Sequence, residues 1–228
     1  MAFSYSPKIV TDGLVLYLDA GNAYSYVSGS TNWNDLSRSQ LSGSLINGPT
    51  FSSANLGSIV FDGVDDYVLA NLTSLGLNVQ GPYTFNCYLK YNTSSGAVRN
   101  PITLSNTGSS AFQFGYIGGS PVVWKYGGTA ITTFTPPAVG TLHYMTCTVT
   151  TGSVNVYING VLNATTNTPN LQTGNLDTLI CSGYWASGVI NTTSVFNGNI
   201  YNISLYNKIL SAEEVLQNYN ATKGRFGL

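Results

Sequence analysis

The chain has 228 residues, long enough to bury a sizeable core as one large all-β domain or two small ones. Charged residues make up only 7%, against roughly 25% in an ordinary soluble domain, and the formal net charge is −1 without any run of Lys or Arg. This excludes nucleic acid as a main partner, because phosphate affinity rests on clustered cations, and the short apolar runs exclude helical membrane insertion.

Residues 1–12, beginning Met-Ala-Phe-Ser-Tyr-Ser-Pro, read as an N-terminal arm without the basic start and apolar stretch of a secretory signal. Either the protein is used without such export or a signal has been removed. Strand signals begin with "GLVLYLD" (residues 13–19), "SLINGPTF" (44–51) and "SIVFDGVDDYVLA" (58–70), broken by Gly, Pro and Asn. They continue through "YTFNCYLKY" (83–91), "AFQFGYI" (111–117), "PVVWKYG" (121–127) and "LHYMTCTVTT" (142–151). In "SVNVYING" (153–160), Val154, Val156 and Ile158 share one face and Asn155, Tyr157 and Asn159 the other. Thr151-Gly152 and Asn159-Gly160 are placed as tight turns with positive φ. "DTLICSGYW" (177–185) and "NIYNISLYN" (199–207) complete the series.

The last element is a helix over 212–222, with Ser211 as N-cap and Glu214 closing a capping box. Leu210 staples onto Val215, while Ala212, Val215, Leu216 and Tyr219 form the apolar stripe. Gly224 suits a left-handed C-cap, and residues 223–228 are left as an exposed tail. Short, regularly spaced strands without an intervening helix predict an all-β fold: an antiparallel two-sheet sandwich over residues 13–222, one domain, with one short C-terminal helix.

Catalysis is poorly supplied. Both glutamates, Glu213 and Glu214, belong to the helix start, so no strand carries the paired carboxylates of a glycosidase. The sole histidine, His143, lies in a strand among core residues, which argues against a nucleophile–base pair. Cys87, Cys147 and Cys181 are widely spaced and read as buried free thiols, with a single bridge as the alternative; they lack zinc spacing. The sequence therefore predicts no enzyme and no cofactor, with the acidic turn described next as the one place for a metal.

Asp62, Asp65 and Asp66 fall in a single turn, "FDGVDDY". They either nucleate a hard-cation site or shape the turn by bonding its own amides. Exposed aromatics are the natural platform for a sugar, and Trp124 with Tyr126, Tyr184 with Trp185, and Phe112 with Phe114 and Tyr116 are the candidates. Alternating strand aromatics are more often core, which leaves Tyr184 and Trp185 as the better glycan contacts.

Four strings in order give a more specific signal. Phe61-Asp62-Gly63 with Asp65-Asp66-Tyr67, Tyr157-Ile158-Asn159-Gly160, Phe196-Asn197-Gly198 through Leu205-Tyr206-Asn207, and Leu210-Ser211-Ala212-Glu213-Glu214 together resemble the laminin G-like, concanavalin A-like lectin/glucanase domain. The chain departs from that pattern at Leu142, where a Trp is common, and in a longer loop, "CSGYWASGVINTTSVFNG". The resemblance implies a jelly roll of two curved sheets, and in related domains calcium sits at the rim on Asp side chains, which points to Asp62, Asp65 and Asp66. The opening and ending further resemble virion proteins of tailed, cyanophage-like bacteriophages. That implies a structural protein on the particle surface, made in the host cytoplasm without a signal peptide. A capsid decoration or a compact tail or spike component is the preferred reading, with other virion proteins as partners. Self-association is expected, with a trimer through the sandwich edges as one arrangement. The alternative is an adhesin for host-surface glycans, and a polysaccharide hydrolase ranks below both.

Overall fold

A computed structural model describes residues 7–93, 98–106, 109–117, 120–125, 129–167, 171–186, 189–191 and 195–228, and of residues 98–99, 109–111, 116–117, 120–122, 124–125, 129, 184–186 and 191 the backbone alone. In chain order the strands are β1 (Leu14–Asp19), β2 (Asn32–Trp33), β3 (Gly43–Ile46), β4 (Thr50–Ser52), β5 (Ser58–Asp62), β6 (Tyr67–Asn71), β7 (Tyr83–Tyr91), β8 (Val98–Asn106) and β9 (Ser109–Ile117). They continue with β10 (Ser120–Lys125), β11 (Thr129–Thr133), β12 (His143–Val149), β13 (Ser153–Ile158), β14 (Val161–Asn167), β15 (Thr178–Cys181), β16 (Tyr184–Ala186), β17 (Val189–Asn191) and β18 (Asn197–Tyr206), before helix α1 (Ala212–Lys223).

Two eight-stranded sheets form, both antiparallel among the described residues. The first runs β14-β13-β12-β7-β18-β5-β4, with β1 also pairing on β18; the second runs β11-β10-β9-β8-β15-β6-β3-β2. Their facing sides bury the alternate residues that a period of two demands. Phe85 of β7 meets Phe112 and Phe114 of β9 edge-on, with centroids 5.8 and 6.0 Å apart, so one aromatic from the first sheet is wedged between two from the second. Val154 and Val156 point into the same core and are fully buried. Each such side chain contributes roughly 1.5–3 kcal/mol by leaving water.

The outer face of the first sheet is covered as well. Helix α1 and the preceding Leu210 lie over it, with Val10, Tyr206, Leu210 and Val215 forming a second apolar cluster. Below the helix is a buried polar layer in which Asn86 accepts from Thr146 and donates to Ser204. Tyr206 donates to the Val10 carbonyl and accepts from Asn218, and burial pushes its hydroxyl up to about 12.

The capping box at Ser211 and Glu214 forms as expected, and Leu210 and Val215 share a cluster as the staple requires. The buried stripe differs: Val215 and Asn218 face the sheet while Leu216 is 43% exposed. Asn218 wins that position because it is bonded on both sides, to the Val10 N–H and the Tyr206 hydroxyl. Gly224 is right-handed at φ −61°, and the left-handed residue is Gly227 at φ 69°. Residues 224–226 therefore turn back onto the domain, and the expected free tail is instead docked. Phe226 stacks against Tyr88 and meets Tyr201 edge-on, at centroid distances of 4.4 and 5.3 Å. At the other end Lys8 and Val10 bond to Gln217 and Asn218, so this part of the expected arm is also packed.

Asn159 and Gly160 take φ of 52° and 80°, the tight hairpin turn read from sequence. The Thr151-Gly152 turn has no positive φ; the Thr150 hydroxyl accepts the N–H groups of Gly152 and Ser153 instead, so a side chain closes the loop. Cys87, Cys147 and Cys181 are free and buried.

Candidate functional site

An open concavity lies where the chain leaves β1 in the first sheet and crosses to β2 in the second. The crossing loop is anchored by small polar contacts. Asn22 accepts the Tyr24 N–H through its side chain and the Ser25 and Tyr26 N–H groups through its carbonyl, which coils the loop tightly. Ser25 is fully buried; its hydroxyl donates to the Asn34 carbonyl and accepts the Asp19 N–H, fastening the loop to both strands.

With its base fixed, the loop presents its apolar side chains outward. Tyr24 is 87% exposed and Val27 63%, while Tyr26 turns inward and packs its ring against Phe51, 5.5 Å away. The opposite wall is the turn before β5, where Asn55, Leu56 and Gly57 take φ of 51°, 61° and 107° in succession. Leu56 is 63% exposed at the rim. A cavity of about 780 Å³ lies between these walls, and a second of about 550 Å³ adjoins it, sharing Tyr26, Ser28 and Phe51.

One ion pair closes the floor. The Arg225 Nη1 donates to Asp19 Oδ1 at 2.6 Å, and its Nη2 donates to the carbonyls of Leu56 and Gly57 at 2.8 and 3.3 Å. Asp19 is buried and also accepts from the Gly21 N–H and the Tyr17 hydroxyl. Burial raises the Tyr17 hydroxyl above its ordinary range, and the neighbouring Asp19 carboxylate raises it further. The sequence reading missed Asp19, Tyr24, Leu56 and Arg225. Their only signal in the sequence is an Asn-centred turn with a Tyr beside it, and Arg225 lies in the segment that the sequence predicts as a free tail.

The acidic turn is assembled as the spacing required. Carboxylate oxygens of Asp62, Asp65 and Asp66 come within 4.8 Å of one another. Most of their bonding is local: Asp62 Oδ1 accepts the Val64 N–H, and Asp66 Oδ2 accepts the Asp62 N–H. The carbonyls of Asp62 and Asp65 accept from Asn197 and Asn47 respectively. Burial raises the Asp66 carboxyl above its ordinary value, against the Asp62 N–H that lowers it, and the charges of Asp62 and Asp65 add to the rise. The donors suit calcium in kind; the three carboxylates would supply part of the roughly six to eight oxygens that ion takes, and each of the two nearby carbonyls already accepts one amide N–H.

The other expected residues are distributed differently. Phe112 and Phe114 are core, as their alternation suggested. Trp124 sits in β10 opposite Gln113 of β9, and Tyr184 and Trp185 pair with Asn191 and Ile190 in the small β16–β17 ribbon; their side chains, and all of Tyr126, lie outside the described residues. Glu214 is held below the ordinary carboxylate range, chiefly by Lys208 and then by the Ser211 N–H. Glu213 is also lowered, by its own N–H and the Ser211 hydroxyl, so neither glutamate is poised as a proton donor. His143 is buried, bonded through Nδ1 to the Thr141 carbonyl, and burial lowers its pKa.

A laminin G family profile, described as the concanavalin A-like lectin/glucanases superfamily, matches residues 62–216. The chain belongs to this superfamily. Among curated proteins none matches it in sequence. Among solved structures, domain 4 of AbnA, a GH43 extracellular arabinanase from Geobacillus stearothermophilus in complex with arabinotriose, superposes with a TM-score of 0.70 at 14% identity, covering 92% of this chain and 100% of that one. Trypanosoma rangeli sialidase in complex with sialic acid gives 0.69 at 14% identity, covering 93% of this chain and 33% of that one. The botulinum neurotoxin serotype G binding domain gives 0.63 at 14%, covering 90% and 50%. The superfamily fold thus recurs in glycosidases and in binding domains, and the chain spans about a third of the length of the sialidases it matches. Among the described residues no helix is long and apolar enough to cross a membrane.

Proposed function

We propose that this chain is a non-catalytic glycan-recognition module on the surface of a tailed-bacteriophage particle, binding a host-surface saccharide in the groove between Tyr24 and Leu56. The observation that carries this reading is the groove itself: an exposed Tyr with exposed aliphatic neighbours, held on a loop whose polar groups are spent on fixing its shape. Sugar rings stack on such faces at low conformational cost, because a Tyr has few rotors to freeze. The arabinanase domain solved with arabinotriose is similar to nearly the whole chain, which favours sugar binding over a purely architectural role. A hydrolase is disfavoured because Glu213 and Glu214 serve the helix cap and the clustered aspartates share one turn, not two sides of a sugar.

The test is a glycan array with the purified chain. Tyr24→Ala is expected to weaken the bound saccharide by about tenfold and leave the melting temperature unchanged. A blank array, or release of reducing ends from a polysaccharide, overturns the proposal.

A second reading, attachment to other virion proteins as a decoration or spike component, is favoured by one surface. Val161 and Leu162 of β14 and Leu216 of α1 are exposed by 67%, 53% and 43% beside the Asn159–Gly160 turn. Stoichiometric binding to capsids or tails, lost in Leu162→Asn, would support it. The packing of residues 8–10 and 224–226 on their own domain argues against either serving as a free arm toward a neighbour.

A further inference from the structure

We infer that Arg225 is the positioning residue of the groove and that its pairing with Asp19 makes the groove a site for uncharged saccharides. This rests on the glycan reading above and deepens it.

The groove wall holds Asn55, Leu56 and Gly57 at positive φ; glycine adopts it freely, but for Leu56 the left-handed conformation is disfavoured by roughly 1–2 kcal/mol. Something must hold that turn. Arg225 does so through Nη2, which binds the Leu56 and Gly57 carbonyls on the side away from the exposed Leu56 side chain. Gly21 and Gly57 permit the close approach: a Cβ on Gly21 would lie 1.8 Å from the Leu56 carbonyl and 1.9 Å from Arg225 Nη2. The guanidinium therefore ties together three segments, the end of β1, the turn before β5 and the C-terminus. Phe226 fixes the next residue in the Tyr88 and Tyr201 cluster, so the Arg backbone is anchored independently of the groove.

The charge follows from the same geometry. Asp19 and Arg225 are the charged residues among those lining the larger cavity, and each is the other's partner. Nη2 is committed to carbonyls and Nη1 already neutralises Asp19 through one of its two N–H groups, so a carboxylate-bearing sugar entering here would meet a pair with no net charge to offer it, or would have to draw the guanidinium off Asp19. Stripping Asp19 of its counter-ion in a buried site is strongly unfavourable. A neutral sugar needs no such exchange: the Ser28 and Ser53 hydroxyls line the cavity, and the exposed Tyr24 and Leu56 offer faces for a sugar ring.

The experiment measures binding of the full chain to arabinotriose and other neutral oligosaccharides and to sialyllactose and oligogalacturonate by calorimetry. The wild type is expected to bind a neutral member and not the acidic ones. Arg225→Ala should cost about tenfold in neutral affinity, with partial recovery in Arg225→Lys, which restores one of the two sets of bonds. Asp19→Asn leaves the guanidinium unbalanced and should shift preference toward the acidic probes, a change that loss of general stability would not produce. The inference is overturned if the wild type prefers the acidic sugars, or if Arg225→Ala and Asp19→Asn bind as the wild type does while Tyr24→Ala abolishes binding; in the second case the glycan reading survives. If no saccharide binds, or Tyr24→Ala has no effect on the one that does, the glycan reading falls and this inference with it.

Discussion

Strand β5 is five residues long, and a candidate site lies at each end. Before Ser58 the chain forms the groove wall; after Asp62 it forms the acidic turn. Both ends use positive-φ glycines and both concentrate charge, yet they differ in what the charges do. At the acidic end, carboxylates of like sign crowd together and spend their lone pairs on amides a few residues away. At the groove end, opposite charges contributed from residues 206 apart neutralise each other and leave neighbouring apolar side chains to solvent. The first arrangement is explained by building a turn. The second gathers the exposed side chains of Tyr24, Val27 and Leu56 around one concavity, and it is such clustering of exposed apolar groups that binding accounts for.

Filling the glycines should separate the two ends of β5 most strongly. Gly21→Ala puts a methyl against backbone, which cannot move aside as a side-chain tip does, and should destabilise by about 3 kcal/mol, lowering Tm by ~10 °C. At the other end, Gly63→Ala meets the Asn197 side chain at 2.8 Å and a φ of +79°, so about 1–2 kcal/mol is expected. Thermal melts of the two variants rank the ends; equal shifts would show that the groove wall is no tighter than an ordinary turn. Next in size is Tyr24→Ala, expected to separate function from stability as described above.

A smaller effect concerns calcium. Because the amide bonds already organise Asp62 and Asp66, and Asn47 and Asn197 occupy the adjacent carbonyls, neither added calcium nor a chelator is expected to move the melting temperature. A calcium-dependent rise that disappears in Asp65→Asn would reverse the comparison and make the acidic turn a metal centre.

The sandwich was legible because its signals are local. Alternation in β13, the Asn159–Gly160 turn and the capping box at Ser211 each depend on neighbours within four residues, and each appears as read. Thr151-Gly152 misled because a side-chain hydroxyl two positions away substitutes for positive φ, and Leu216 misled because a bonded Asn218 outcompeted it for the buried face. The groove was not legible at all. Its floor needs Arg225 to reach Asp19, and nothing in "GRFGL" distinguishes a docked segment from a frayed one until the Tyr88 and Tyr201 cluster is seen beneath Phe226.

The gentlest way to sharpen the contrast is pH. Asp66 has a folded-state pKa raised by burial and by its acidic neighbours, so the folded protein holds that proton more tightly than the unfolded chain. The native state then binds more protons than the unfolded one between the two pKa values, and stability falls as pH rises through that window. Asp66→Asn keeps an oxygen to accept the Asp62 N–H and removes the titration. Denaturant melts taken from below the ordinary carboxylate range up to neutrality should therefore show the variant losing less stability than the wild type as pH rises. If Asp66→Asn and the wild type follow the same profile, burial and like-charge crowding do not hold a proton at the acidic turn, and its carboxylates differ from the paired charges of the groove in position alone.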